Sequence, residues 1–310
     1  MAVAVKELRP PPTGIQGTLH RIRKEWSAYL FLTPSIIHFM IFYVFTVAFS
    51  FYLSFHKWNI LEPEKPYVGL ENYARLFQDA RFHQAVLNTV YYTAFAVPLT
   101  MIAGLSIALL LNNKLRLRGL FRALYFLPNI TPLVVSAIIW KWIYQGDYGL
   151  LNYYLIQLGI IKEPLLWLAD PNLAMPAIIL MSVWGGAGYH MVIYLAGLQS
   201  IPEEYYDAAK VDGANGFQRL IYITVPLLTP TSLFLFITSV IGSFQIFTQI
   251  YIMTNGGPLN RTTTIGYYLY EKAFRHFDMG YASAMSYVLF GMIFVFTLIQ
   301  LRVMRREIQY

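Results

Sequence analysis

From Leu30 to Phe55 the chain contains no Asp, Glu, Lys or Arg. At about 1.5 Å of rise per residue that stretch is long enough to cross roughly 30 Å of hydrocarbon as a helix. Lipid offers the backbone no hydrogen-bond partners, so an uncharged run of this length folds as a helix or does not enter the membrane. A cleaved leader would have an apolar core of about 7 to 15 residues and a small-residue site after it, and neither condition is met. Five further apolar segments follow, at about 88–111, 121–144, 173–198, 225–253 and 281–301. The expectation is an all-α, polytopic membrane protein with six transmembrane helices within residues 30–301. Composition agrees. With 57% hydrophobic residues, 13% charged and a mean hydropathy of +0.48, a water-soluble globule would expose too much apolar surface.

Charge placement then sets the expected orientation. Positive residues collect in short segments between apolar runs: Arg21, Arg23 and Lys24 in the tail 1–29; Lys114, Arg116, Arg118 and Arg122 with no acid among them; Arg302, Arg305 and Arg306 in the tail 302–310. By the positive-inside rule these lie in the cytoplasm, and both termini with them. Scattered in this way, a net charge of +7 does not make the basic face that nucleic-acid binding needs. The polar stretch 56–87 balances to zero, as an outer loop would. No Asp or Glu falls within any expected span, and His38 and His190 have no acid beside them. A secondary transporter's ion relay and a membrane-embedded enzyme's acid-base cluster therefore lack their residues. No Gly-Lys dipeptide occurs, which excludes a P-loop, and the absence of cysteine excludes disulfides and thiolate chemistry.

One internal polar stretch, Ser200 to Pro226, is built to dock something. Ser200 followed by Glu203 reads as a capping box, Pro202 suits a first turn, and Glu203 and Glu204 complement the positive end of a helix. Tyr205, Ala208 and Ala209 share one face, and the alanines allow another backbone close approach. Gly213 ends that helix in the left-handed conformation. Phe217, Leu220 and Ile221 then make a second apolar face before Pro226. The order Asp207-Ala208-Ala209, three residues, Gly213, nine residues, Ile223-Thr224-Val225-Pro226 resembles the signature cytoplasmic loop of the membrane subunits of ABC importers, with Asp for Glu and Val for Leu at two positions. The resemblance implies a type I permease core whose coupling helix, here Glu203, Glu204, Asp207, Ala208, Ala209, Gly213 and Pro226, seats in a separate ATP-hydrolysing subunit.

Other features sit at membrane depth or outside it. Trp140-Lys141-Trp142 reads as an interfacial belt, with a substrate role for Lys141 as the alternative. The run 150–161 is too short to span and reads as an interfacial helix. Trp184-Gly185-Gly186-Ala187-Gly188-Tyr189 suits either ligand approach, with Trp184 and Tyr189 as stacking faces, or tight helix packing. Ser239, Gly242, Ser243 and Gln245 share the fifth segment. Serines there can bond back to their own helix, whereas the Gln245 amide needs several partners. Asn255-Gly256-Gly257-Pro258 marks a turn, after which 262–277 reads as an amphipathic stretch lying along the outer surface.

These features fall in the order found in the maltose-type carbohydrate branch of the importer permeases. That resemblance implies substrate-binding positions at Gly186, Tyr189 and Ser239, with Ser243 and Gln245 beside them, and Gly242, Ser243 and Ile246 departing from the maltose pattern. It also implies a second six-span permease subunit, two ATP-binding subunits carrying the ATP and Mg, and an extracytoplasmic sugar-binding protein docking near Gly149 and Gly257. No cofactor is expected on this chain, and the location implied is the cytoplasmic membrane of a prokaryote.

Overall fold

The computed structural model describes residues 26–113 and 116–304; Arg21, Arg23, Lys24, Lys114, Arg305 and Arg306 lie outside the described residues. Every regular element among the described residues is helical. The chain divides into two compact units, one ending at Leu53 and one beginning at Ser54. The described part of the first unit is helix α1 (Trp26–Ser54) up to Leu53, apolar and interrupted by a π-turn over Met40–Phe45. It leaves Phe31, Phe42 and Phe45 exposed, as a helix solvated by lipid or by another protein would.

The second unit is ordered by α3 (Ala80–Asn112), which is preceded by the short α2 (Glu71–Gln78). The sequence places this span from Asn88, yet the helix begins eight residues earlier. Asp79 caps it, its Oδ1 accepting from the amides of Arg81 at 2.9 Å and Phe82 at 3.2 Å, and Phe82 and Ala85 are buried. Neither Pro98 nor Gly104 interrupts it. Gly104 instead permits a close crossing, since a Cβ there would fall 2.3 Å from the Cβ of His190 on α7 (Ala174–Gln199).

Two expected spans are bent. The third is α4 (Arg118–Ile130) and α5 (Leu133–Ile143), meeting at 95°. Pro132 lacks an N–H and holds the residue before it out of the helical region, so Thr131 is extended at φ −73° and ψ 131°. After α6 (Leu150–Gln157), α7 and the loop helix α8 (Glu203–Val211), the fifth segment is α9 (Gly216–Leu227) and α10 (Thr229–Phe244), bent by 64°. It does not continue to Met253 as the sequence suggests: the helix stops at Phe244 and restarts as α11 (Thr248–Met253). α12 (Ile265–Tyr270) and α13 (Met279–Met304) complete the unit. Among the described residues four helices are long and apolar enough to cross a membrane, and six crossings result if each bent pair makes one.

The stretch 262–277 lies along the surface only toward its end, where Phe274, Arg275 and His276 are exposed; its first part is packed inside. Thr262, Thr263 and Thr264 are wholly buried. The Asn88 side-chain amide donates to the carbonyls of Asn260 and Thr263, both at 2.8 Å, and the Ile265 amide donates to the Thr89 hydroxyl at 3.0 Å. Two ion pairs tie it down, Arg81 with Glu271 at 2.6 Å and the more exposed Arg75 with Asp278 at 3.1 Å. Asp79 Oδ2 accepts from the hydroxyls of Tyr268 and Tyr281, each at 2.6 Å. Amphipathic periodicity records which face carries charge; it does not record whether solvent or a partner meets that face.

Lys141 is exposed and has a partner close by. Its ammonium donates to the Ile252 carbonyl at 3.1 Å, tying α5 to the end of α11, and Trp140 packs edge-on against Trp184 at 5.6 Å. In α6, Asn152 is buried and holds the preceding turn through Gly146 and the following loop through Leu165 and Trp167.

Candidate functional site

Two places concentrate the residues singled out from the sequence. The first is the hairpin after α7. The capping box expected at Ser200 and Glu203 does not form: the Ser200 hydroxyl bonds back to Gly197 at 2.8 Å, and α8 starts after Pro202 with no side-chain cap. A capping box forms instead at Asn215 and Gln218, where each side chain accepts from the other's backbone amide, at 2.9 and 2.8 Å. Gly213 is left-handed at φ +78°. The Ala214 amide reaches the Ala209 carbonyl at 2.8 Å and the Gly213 amide reaches the Lys210 carbonyl at 3.1 Å, which is a Schellman closure. The turn is thus determined by its own backbone.

One side chain anchors this hairpin to the start of the next span: the Tyr206 hydroxyl meets that of Thr224 at 3.0 Å. Glu203, Glu204, Tyr205, Asp207 and Ala208 are exposed, Ala209 is half-buried, and Pro226 lies exposed beyond Thr224. Asp207 pairs with Lys210 at 2.7 Å, an exposed contact that adds little to stability. Val211 and Phe217, apolar and 88% and 69% exposed, stand unprotected on the same hairpin. A short helix presenting bare apolar and acidic groups on a rigid turn is a surface for another macromolecule.

The second place is a cavity of about 480 Å³ in the middle of the helices, walled by α3, α4, α5, α7, α10 and the break before α11. Gly186, Ser239, Ser243 and Gln245 line it; Tyr189 does not. The Tyr189 ring instead stands edge-on to His190 at 5.8 Å, and Trp184 is engaged with Trp140, so neither presents a stacking face to the cavity. The glycines divide between the two readings open to them. A Cβ at Gly188 would sit 2.2 Å from the Tyr125 carbonyl and one at Gly186 would sit 2.9 Å from Thr100, so both serve packing, although Gly186 also lines the cavity. Gly185 faces open space there.

The serines divide as well. Ser243 bonds back to Val240 and across to Thr93, both at 2.9 Å, and is spent on the fold. Ser239 makes its bond to His190. Gln245 is exposed at the break after α10, with no side-chain hydrogen bond within the described residues. Its neighbours were not foreseen. Asn129 and Thr131 arrive from the α4–α5 bend, Ser136 from α5, and Gln249 from α11. Ser136 is 3% exposed and its hydroxyl has no partner among the described residues. The run Leu127-Pro128-Asn129-Ile130-Thr131-Pro132 carried the available signal, two prolines bracketing an amide inside an apolar segment. None of the lining residues is Asp, Glu, Lys or Arg. Such a wall suits a neutral solute rich in hydroxyl groups.

Residues 96–309 match the family described as binding-protein-dependent transport system inner membrane component. The chain is 36% identical over 288 residues to the trehalose/maltose transport system permease protein of Thermococcus litoralis, covering 92% of this chain and 96% of that one. It is 38% identical over 278 residues to the lactose transport system permease protein of Rhizobium radiobacter, covering 88% and 92%. The same fold occurs in a bacterial ABC transporter involved in the import of the acidic polysaccharide alginate, with a TM-score of 0.80 at 24% identity over 94% of this chain and 99% of that one.

Proposed function

This chain belongs to the family of binding-protein-dependent transport system inner membrane components, permease subunits of ABC importers, and from that premise we propose that it passes a neutral sugar, or a related polyol or glycoside, across a prokaryotic cytoplasmic membrane. The observation that carries this reading is the uncharged cavity at the helix breaks, lined by the Asn129, Gln245 and Gln249 amides and the Ser136 and Ser239 hydroxyls. The names of the trehalose/maltose and lactose relatives support it.

Each bent pair makes one crossing, giving six, with both termini and the loop 200–226 in the cytoplasm. α8 seats in one of two ATP-binding subunits through Glu203, Glu204, Asp207, Ala208 and Ala209, and those subunits hold the ATP and Mg. A second six-span permease completes the path, and a soluble sugar-binding protein delivers the cargo from outside. Closure of the ATPases moves the hairpin as a rigid piece, and the spans change from outward- to inward-facing.

The test is reconstitution. Vesicles holding this chain with its ATPase pair, partner permease and binding protein accumulate trehalose, maltose or lactose only with ATP inside, and a cysteine at Ala208 crosslinks to the ATPase. Accumulation against a gradient by this chain alone, or labelling of that cysteine from outside intact cells, overturns the reading.

A further inference from the structure

His190 decides how the cavity wall can hydrogen-bond. The residue is 6% exposed and lies where α7 crosses α3. Its Nδ1 stands 3.0 Å from the Gly186 carbonyl, and its Nε2 stands 2.8 Å from Ser239 Oγ on α10. A carbonyl only accepts, so Nδ1 carries a proton. No carboxylate lines the cavity to balance an imidazolium, and an unpaired cation buried there is costly, so the ring is neutral and Nε2 is a bare acceptor. The Ser239 hydroxyl therefore gives its proton to Nε2.

Three nearby hydroxyls return their protons to their own backbone, Thr100 to Ala96, Ser182 to Ile178 and Thr238 to Phe234. The hydrogen bond of Ser239 runs across to α7 instead. What Ser239 has left to offer the cavity is lone pairs.

We infer that His190 is a positioning residue that makes Ser239 an acceptor-only group, so that the cargo atom meeting Ser239 must be a hydrogen-bond donor. This rests on the cavity being the passage for a polyhydroxylated solute. A sugar hydroxyl satisfies the wall at that point; an ether oxygen or a fluorine, which cannot donate, does not. Discrimination between a hydroxyl and fluorine at one ring position should be at least about tenfold, the effect of one hydrogen bond left unmade.

Two measurements on the assembled transporter in lipid nanodiscs decide the matter. In ring-nitrogen NMR of ¹⁵N-histidine protein, with His190 assigned by His190→Gln, we expect a proton on Nδ1, none on Nε2, and a shift of Nε2 alone in Ser239→Ala. A proton on Nε2, or two unmoved nitrogens in Ser239→Ala, overturns the inference. In the second, the monodeoxyfluoro analogues of whichever of trehalose, maltose and lactose is transported compete with it for uptake. One analogue should fall about tenfold or more behind the parent sugar in wild type, and the gap should close in Ser239→Ala. A gap that persists in that variant overturns the specificity claim. Transport of none of the three sugars, nor of any other neutral sugar, polyol or glycoside, overturns the proposed function and the cargo half of the inference with it, while the NMR result still decides the wall.

Discussion

At its N-terminal end α3 is bound by hydrogen bonds and charges: Asp79 to Tyr268 and Tyr281, Arg81 to Glu271, Asn88 to Asn260 and Thr263. At its C-terminal end the contacts are apolar, with Ala108 and Leu111 packed among Leu195, Leu198, Ile201 and Leu228, and beyond them the hairpin projects with its side chains exposed. Directional bonds hold one geometry and resist sliding. Apolar contacts tolerate small shifts, and a turn closed by its own backbone moves as a unit. The difference teaches that this subunit is fastened by directional bonds at one end and leaves an exposed, self-closed hairpin at the other.

Substitutions at four positions break or sharpen that contrast. The largest loss of stability is expected from Gly280→Val, because a Cβ at Gly280 would lie 2.0 Å from the His56 carbonyl, which is backbone and cannot give way. A cost of about 3 kcal/mol or more should appear in thermal unfolding of the solubilised protein. Asp79→Ala comes next, removing a helix cap and orphaning two tyrosine hydroxyls, for about 2 to 4 kcal/mol.

The Asp79 site also carries a pH signature. Burial pushes the carboxyl up, but the hydroxyls of Tyr268 and Tyr281 and the amides of Phe82 and Arg81 outweigh it and hold it below its ordinary value of 3.8. A depressed folded-state value means the stabilisation is complete above 3.8 and is lost as pH falls through that value and below it. Acid unfolding of wild type should show this loss, and Asp79→Asn should lack it.

Third is Gly213→Val. A Cβ there meets nothing within 4 Å, so the cost is the left-handed backbone alone, about 1 to 2 kcal/mol, and the protein still inserts. Uptake by the assembled transporter should nevertheless fall to background, while Gly213→Asn, which tolerates that conformation, retains most of it. Equal stability losses at Gly280 and Gly213 would erase the contrast between the ends. The smallest effect is expected from Tyr206→Phe, which removes the contact to Thr224 and should cost about 1 kcal/mol.

How far the sequence could be read depends on how local each feature is. The hairpin was legible because Gly213 and the residues within a few positions of it close the turn by themselves. Its capping box was misplaced because Ser200 had a nearer acceptor in Gly197, and a motif of residue types carries no record of such competition. The bends were half legible. The third span was expected unbroken over 121–144 although Pro132 carries the signal for a break, and only the packed helices set the bend at 95°. The cavity was the least legible, since Asn129, Ser136, Ser239 and Gln249 come from four elements brought together by tertiary folding. Tyr189, singled out on residue type, turned toward His190 rather than into the space.

Helicity and a place in the bilayer follow from sequence alone, because hydrocarbon leaves a backbone no partner but itself and long uncharged segments have no other way to satisfy it. Which polar groups are spent and which are left to act was decided by tertiary structure. Ser239 and Ser243 are the same residue four positions apart on one helix, and only the neighbours that folding brings, His190 for one and Thr93 for the other, set what each hydroxyl can still do.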